Sequence, residues 1–276
     1  MKFEKHLSID SDKQKAVDVL KQATDFSKQR IKQIMAQGAV WLTRNGSAQR
    51  LRRADKLLSG DDTLHIYYDE ELLAQQPDDA ILVADEGLYS IWHKPYGMLS
   101  QGSKWGDHFT INRWVEKHHQ PQRPAFIVHR LDRAATGLII IAHKKQTAAY
   151  FAKLFQTRDI EKRYQAIVHG LFGGDKTVSS PIDGKPALSH IHLLKYDKTL
   201  NQSRVEVRIE TGRKHQIRRH LSESGFPIVG DRLYGLADEN SDKNLCLSSC
   251  YLSFASPNDD EIKIYHLAES LLPKLR

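Results

Sequence analysis

The segment Ser203-Arg-Val-Glu-Val-Arg-Ile-Glu210 alternates apolar and charged residues one by one. Because successive side chains of a strand point to opposite faces, this alternation predicts a β-strand with one buried face and one face in water. The chain must therefore fold around a sheet that keeps part of one side in solvent.

Other segments predict further strands and helices in an irregular order. Apolar runs predict strands at residues 88–94, 138–143 and 164–169, and residues 148–156 and 215–224 have helical spacing of apolar side chains. Strands and helices do not alternate strictly along the chain. This order predicts an α+β fold with a mixed, largely antiparallel sheet.

The distribution of charge divides the chain. Residues 27–56 contain eight Lys or Arg and one acid, Asp55, whereas residues 69–87 contain seven acids and no Lys or Arg. Such a change of sign is typical of a domain boundary. We therefore expect a small basic domain at residues 1–75, a linker at about 69–87, and a larger domain at residues 88–276.

The basic stretch has clear local structure. Ser27 is a suitable helix N-cap, Gly38 can end that helix, and Asn45-Gly46 predicts a tight turn between two strands. The chain as a whole has a net charge of +7, which favours a polyanionic partner. Because acids are nearly absent here, we expect a small α+β domain that binds nucleic acid rather than a merely solvated surface. The candidate residues for this binding are Lys28, Arg30, Lys32, Arg44, Arg50, Arg52 and Arg53.

Two segments of this region follow a known order. Ser27-Lys-Gln-Arg-Ile-Lys-Gln-Ile-Met-Ala-Gln-Gly-Ala-Val40 precedes a short hairpin, and Leu58-Ser-Gly-Asp-Asp62 precedes the last strand. This arrangement resembles the small RNA-binding domain named after the fourth small-subunit ribosomal protein.

Asp132 lies in a polar segment, His129 to Arg133, between two apolar runs. Charged groups in such a place are costly unless they are paired or face a cleft. Arg130 and Arg133 flank Asp132 and would keep it ionised, and therefore available as a nucleophile or base. Taken alone, the segment is equally consistent with a turn aspartate in a surface ion pair.

Two further segments combine cations with groups that can contact a base. Lys162 and Tyr164 share one face of a predicted strand, an arrangement suited to stacking on a base beside a phosphate. Tyr164 alone would more simply be a core residue. Arg218 and Arg219 begin a predicted helix and cannot both face inward, so one of them can reach a buried carboxylate.

These segments are part of a longer ordered pattern. Its pieces are Lys94-Pro-Tyr-Gly97, His129-Arg-Leu-Asp132 with Thr136-Gly-Leu138, Lys162-Arg-Tyr164, Ile182-Asp-Gly-Lys185, and Thr211-Gly-Arg-Lys-His-Gln-Ile-Arg218 with Pro227-Ile-Val-Gly-Asp231. Together they resemble the RluA-type RNA pseudouridine synthases over residues 88–270. Each piece is weak by itself, but five pieces in order are specific.

The resemblance implies an isomerase that converts a specific uridine of ribosomal or transfer RNA to pseudouridine, with ribosomal RNA favoured and no cofactor or metal needed. It makes Asp132 the catalytic carboxylate, and sequence leaves open whether Asp132 attacks the sugar or removes a proton. It also implies that Arg218 is the charge partner of Asp132. Tyr164 would stack on the target base and Ile217 would line the other side of the pocket. Arg130 would fill the space left by the extruded base. Lys162 belongs to the same expected set.

Two other functions remain open on sequence alone. A non-catalytic RNA-binding factor in ribosome assembly would explain the basic domain but not Asp132, Tyr164 and Arg218 together. A metal-dependent nuclease is suggested by fourteen histidines, but these lack a standard ligand spacing such as His-Glu-x-x-His. Cys246 and Cys250, about 13 Å apart if both lie on one strand, are too distant for a disulfide or a shared metal.

The location is predicted from what the sequence lacks. The polar start of the chain does not resemble a signal peptide, and no apolar run reaches the roughly 18–20 residues of a membrane span. We therefore expect a cytoplasmic monomer with RNA as its partner and no contact with membranes.

Overall fold

A computed structural model of the chain describes residues 1–76, 78–237 and 243–275. The chain forms two compact units, Met1–Gln76 with Gln101–Lys117, and Pro77–Ser100 with His118–Arg276. The division differs from the one expected from charge, because Gln101–Lys117 groups with the first unit. Residues 77, 238–242 and 276, which the expected linker and larger domain include, lie outside the described residues.

The first unit contains a four-stranded antiparallel sheet in the order β1-β4-β2-β3. Its elements are β1 (Lys2–Ser8), α1 (Ala16–Ala23), α2 (Lys28–Ala36), β2 (Val40–Arg44), β3 (Ser47–Arg50), β4 (Thr63–Asp69), α3 (Glu70–Leu73) and α4 (Ile111–His118), whose last residue falls in the second unit.

Helix α2 begins and ends where the sequence predicts. The Ser27 hydroxyl accepts a hydrogen bond from the Arg30 N–H at 3.2 Å, and Gly38 leaves the helix with a φ of +81° that favours glycine. The predicted turn Asn45-Gly46 joins β2 to β3, with both residues at positive φ. The inward face of α2 is formed by the fully buried side chains Ile31, Ile34 and Met35.

The second unit contains a larger sheet of ten strands. Its elements are β5 (Ile81–Asp85), β6 (Tyr89–Lys94), β7 (Phe126–Ile127), β8 (Thr136–Ala142), α5 (Lys145–Thr157), β9 (Glu161–His169), β10 (Lys176–Val178), β11 (Ser189–Asp197), β12 (Gln202–Ile209), α6 (Gln216–Glu223), β13 (Leu247–Ala255), β14 (Ile262–His266) and a 3₁₀ turn (Glu269–Leu271).

Eight strands of this sheet follow the order β10-β11-β12-β9-β13-β8-β6-β5, with β14 paired to β13 and β7 paired to β8. Among the described strands, β8 and β13 pair in parallel and the other neighbours are antiparallel. The expected α+β fold with a mixed, largely antiparallel sheet is confirmed.

Strand β12 shows why the alternating segment folds as it does. Val205, Val207 and Ile209 are buried, while Arg204 and Arg208 on the other face remain at least partly exposed. On the adjacent strand, β9, Lys162 and Tyr164 both point to the buried face. Among the described residues, none of the helices is long and apolar enough to cross a membrane.

Candidate active site

Asp132 lies in the loop between β7 and β8, and the backbone on both sides of it is fixed. The buried Ser100 hydroxyl donates to the carbonyl of Leu131 at 2.8 Å and accepts from its N–H at 3.0 Å. The Ala135 N–H donates to the Asp132 carbonyl at 3.1 Å, closing a turn. The carboxylate itself is 28% exposed, so a fixed backbone presents a reactive group that solvent or a ligand can reach.

His129 anchors the start of this loop. Its Nε2 accepts a hydrogen bond from the Ile140 N–H at 2.9 Å, and its ring stacks on Phe155 at 4.8 Å. Burial, together with the nearby Lys162 ammonium, lowers the pKa of His129 to about 3. The ring is therefore neutral near pH 7, and its contacts indicate a structural role rather than proton transfer.

Arg218, near the start of α6, is 5% exposed and connects two carboxylates. Its Nε and Nη2 donate to Asp231 at 2.8 and 2.6 Å, and its Nη1 donates to Asp132 Oδ2 at 3.5 Å. Burial would lower the pKa of Arg218, but the hydrogen bonds and charge of Asp231, followed by Asp132, raise it overall. Arg218 therefore stays protonated and gives Asp132 a fixed cationic neighbour.

Asp231 is almost completely buried and has no role in the sequence prediction beyond its place in a motif. It accepts the two bonds from Arg218 and two more from the N–H groups of Leu233 and Tyr234, at 3.0 and 3.1 Å. Burial would raise the pKa of Asp231, but these four donors lower it overall. The carboxylate is thus ionised, and it orients the guanidinium towards Asp132.

His215, the residue before α6, also faces Asp132. Its Nε2 lies 3.8 Å from Asp132 Oδ1, and its Nδ1 is 3.0 Å from the Tyr234 hydroxyl. Burial lowers the pKa of His215 although Asp132 opposes this effect, which favours a neutral ring. Its φ of +55° is unusual for a residue other than glycine, and such conformations concentrate at functional sites.

Tyr164 lies on β9, is 8% exposed, and lies close enough to Asp132 for the two to interact electrostatically. Burial, followed by the charge of Asp132, raises the pKa of Tyr164, so its hydroxyl remains protonated. Lys162, two residues earlier, is 7% exposed and holds its ammonium over the Phe155 ring at 5.6 Å. Lys162 therefore belongs to the cluster around His129.

Lys94 ends β6 and is completely buried beneath the Asp132 loop. Its ammonium donates to the carbonyls of Met98, Pro95 and Arg133 at 2.8, 3.1 and 3.4 Å. Burial lowers the pKa of Lys94 to about 7, an effect that the charge of Asp132 opposes. This lysine ties the loop after β6 to the loop that carries the carboxylate.

The remaining predicted residues lie on either side of this group. Ile217 precedes Arg218 on α6 and is 6% exposed. Arg130, two residues before Asp132, is exposed and makes no hydrogen bond or ion pair with the described residues. The structure thus brings Asp132, Arg218 and Tyr164 together and leaves the Arg130 side chain in solvent.

Several of the predicted RNA-binding cations stabilise their own unit. Arg44 makes a bidentate pair with the buried Asp62, at 2.8 and 2.6 Å, and Arg50 and Arg52 both pair with Asp107. These three arginines are therefore largely engaged within the fold.

The other four predicted cations are more accessible or held more weakly. Lys28 forms an exposed pair with Asp18 at 2.5 Å, and Arg30 donates to the Tyr68 hydroxyl at 3.3 Å. Lys32 and Arg53 are exposed and pair with none of the described residues. Of the seven predicted RNA-binding cations, Lys32 and Arg53 are thus the two most available to a partner.

Sequence reasoning did not assign roles to Lys94, His215 or Asp231. All three stand in the quoted motifs, so the signal was present. Their burial and partners depend on loops that meet only in the folded chain, and sequence spacing does not show which cation lies next to which acid.

A protein-family model described as RNA pseudouridylate synthase matches residues 88–223. An uncharacterized RNA pseudouridine synthase of Bacillus subtilis is 30% identical, with 86% of this chain and 84% of the relative covered. The ribosomal large subunit pseudouridine synthase D of Yersinia pestis is also 30% identical, covering 76% and 69%. An uncharacterized RNA pseudouridine synthase of Aquifex aeolicus is 28% identical, covering 89% and 86%.

A solved structure shares the fold. Human RNA Pseudouridylate Synthase Domain Containing 1 superposes with a TM-score of 0.61 at 22% identity, covering 72% of this chain and 88% of that one. At this identity the likeness concerns the fold, and it agrees with the mixed sheet of the second unit.

Proposed function

Because this chain belongs to the RNA pseudouridine synthase family, we propose that it converts one specific uridine of a structured RNA to pseudouridine with Asp132 as the catalytic carboxylate. The reaction breaks the bond between N1 of the base and C1′ of the ribose, and joins C5 to C1′. A proton leaves C5 and one is gained at N1. Reactant and product contain the same atoms, so the isomerisation consumes no second substrate.

The contact between Arg218 and Asp132 carries the assignment. A carboxylate that attacks the ribose, or one that removes a sugar proton, must be ionised and within reach of the sugar. Asp132 combines partial exposure with a cation 3.5 Å away, and Asp231 fixes that cation from the other side. Either role of Asp132 is served by this geometry.

Tyr164 and Ile217 are proposed to enclose the target base. Tyr164 would stack on one face of it and Ile217 would line the other side of the pocket. Because the reacting atoms of a uridine in a helix are covered by its neighbours, the base must leave the stack. The exposed Arg130 is suited to fill the space that it vacates, since nothing in the described fold holds its side chain.

The first unit is proposed to bind the RNA outside the active site, as its likeness to a ribosomal-protein domain suggests. Lys32 and Arg53 are available for phosphates, and Lys28 and Arg30 could exchange their weak internal contacts for RNA. Curated relatives named ribosomal large subunit pseudouridine synthase D favour ribosomal RNA as the substrate over transfer RNA.

Mapping of pseudouridines in total RNA, with and without the gene, tests the proposal. We expect one or a few uridines to remain unmodified without the gene, and a plasmid copy of the wild type to restore them. An Asp132→Asn copy should not. A non-catalytic assembly factor would instead bind RNA and leave every pseudouridine in place, which would overturn the proposal.

A further inference from the structure

Three side chains of metal-binding type meet far from Asp132 in the second unit. Asp85 ends β5, His119 follows α4, and His143 follows β8. One possible ligand atom of each lies within 4.8 Å of the other two. Asp132 precedes β8 and His143 follows it, so the length of that strand separates the two places by roughly 20 Å.

His119 is the least satisfied member of this group. It is 2% exposed, and neither ring nitrogen has a hydrogen-bond partner among the described residues. Its Nε2 lies 3.3 Å from Asp85 Oδ2. A buried polar ring without a hydrogen bond is costly, so the surroundings of His119 point to a ligand that supplies the missing interaction.

His143 is oriented as a metal ligand would be. Its Nδ1 lies 2.8 Å from the carbonyl oxygen of Pro124, which can only accept, so Nδ1 carries the proton. Nε2 then accepts a hydrogen bond from the buried Ser90 hydroxyl at 2.8 Å, and a metal would take the place of that bond. A ligating histidine commonly donates its second N–H to a backbone carbonyl in this way.

Asp85 provides a carboxylate that two donors hold in place. Its Oδ1 accepts a hydrogen bond from the Gly87 N–H at 3.0 Å, and its Oδ2 accepts one from the Arg123 guanidinium at 2.6 Å. Arg123 opposes a second cation nearby, but Oδ2, the oxygen 3.3 Å from His119 Nε2, keeps a second lone pair that a metal can use. The carboxylate can therefore bind a metal while it keeps its pair with Arg123.

We propose that Asp85, His119 and His143 bind one Zn²⁺ ion, with a water molecule as the fourth ligand. Two imidazole nitrogens and one carboxylate oxygen suit zinc, whereas magnesium and calcium prefer oxygen ligands alone. Tetrahedral zinc at about 2.0–2.1 Å from each ligand requires the three atoms to approach one another to about 3.4 Å. A small rotation of the Asp85 side chain, which is 31% exposed, can supply that movement. The ion would link three segments that are distant in sequence, and the isomerisation is not assigned to it.

Zinc content of the purified full-length chain tests this site. The chain is first stripped with a chelator, then exposed to zinc and passed through a gel-filtration column before elemental analysis. His119→Gln and Asp85→Asn are compared with wild type and with His118→Gln, which removes the exposed neighbouring histidine. Other histidines on the surface can bind zinc too, so the difference between variants is the readout.

We expect wild type and His118→Gln to retain about one zinc ion per chain more than His119→Gln. Asp85→Asn, at a partly exposed position, should fold normally by circular dichroism and bind zinc at least about tenfold more weakly. Zinc should also raise the unfolding temperature of wild type and His118→Gln but not of the other two. Equal zinc retention in all four proteins, or none in wild type, would overturn the site.

Discussion

The Arg218 guanidinium is held by Asp231 through two hydrogen bonds, 2.8 Å from Nε to Oδ2 and 2.6 Å from Nη2 to Oδ1. This bidentate pair is shorter than the 3.5 Å contact that the same arginine makes with the proposed catalytic carboxylate. Arg218 therefore acts as a bridge, fixed by one buried acid and presented to another. The pairing of Arg218 with Asp231 therefore determines how firmly the guanidinium is held next to Asp132.

Asp231→Asn should impair both stability and activity. Removing one charge of a buried pair leaves the other uncompensated, and we expect the free energy of unfolding to fall by about 3 kcal/mol. The rate of pseudouridine formation should fall at least about tenfold, because Arg218 is no longer fixed. Urea unfolding and a single-turnover assay measure the two effects.

Asp183→Asn is the matched control, since Asp183 pairs with the next arginine, Arg219, at 2.9 Å but on the surface. This variant should unfold and react like wild type. If both substitutions had the same small effect, the buried pair would not position the site.

Substitutions of Tyr164 separate stacking from hydroxyl chemistry. Tyr164→Phe keeps the ring and should retain most of the activity if the ring stacks on the base. Tyr164→Ala should lose base–aromatic stacking, which is worth about 1–3 kcal/mol, and slow turnover by roughly tenfold or more. Initial rates on one RNA substrate compare the two. Equal rates near that of wild type would argue against a ring that faces the base.

The buried Lys94 predicts a specific dependence of stability on pH. Its pKa is lowered from the usual value of 10.5 to about 7 in the folded chain. Between these two values the unfolded chain binds a proton that the folded chain does not. The free energy of unfolding should therefore rise as pH increases from about 7 to 10 and level off below 7.

The expected gain for this residue is about 2 kcal/mol between pH 7.5 and 9.5. Urea unfolding at both pH values measures it in wild type and in Lys94→Met, which removes the titrating group. Lys94→Met can be less stable at both pH values because the carbonyl contacts are lost, but its dependence on pH should be flatter. An unchanged slope would show that Lys94 is charged throughout.

Two cations of the first unit should contribute to RNA affinity and a third to stability. Replacing Lys32 and Arg53 together by Gln should make the slope of log K against log salt less negative by about 2, at unchanged unfolding temperature. Arg44→Gln should lower the unfolding temperature, since it breaks the pair with Asp62. Filter binding over a salt series measures the salt slope, and thermal unfolding measures the stability of each variant. A slope that does not change in the double variant would exclude these two side chains as phosphate contacts.

Much of the fold could be predicted from local sequence. The cap at Ser27, the turn at Asn45-Gly46 and the alternation in β12 all depend on neighbouring residues, and each is confirmed. The placement of Gln101–Lys117 was not predictable in this way. That segment is separated in sequence from the first unit, and its ion pairs with Arg50 and Arg52 form only after folding.

The site was predictable only in part, for the same reason. Lys162 and Tyr164 share a face on any strand, so their common orientation follows from spacing. Arg218 pairs more closely with Asp231 than with Asp132. This difference depends on two loops that meet only in the folded chain. The sequence predicts Lys94 only as the polar residue at the end of a strand. The carbonyl groups that accept from its ammonium in the folded chain explain how this lysine is completely buried.

The release of tritium from RNA labelled at C5 of uridine tests the central claim most directly, because the proton at C5 is lost when pseudouridine forms. Asp132→Asn should release no tritium above background, while it binds the same RNA within about threefold of wild type. Retained release at more than about a tenth of the wild-type rate would contradict the assignment of Asp132 as the catalytic carboxylate.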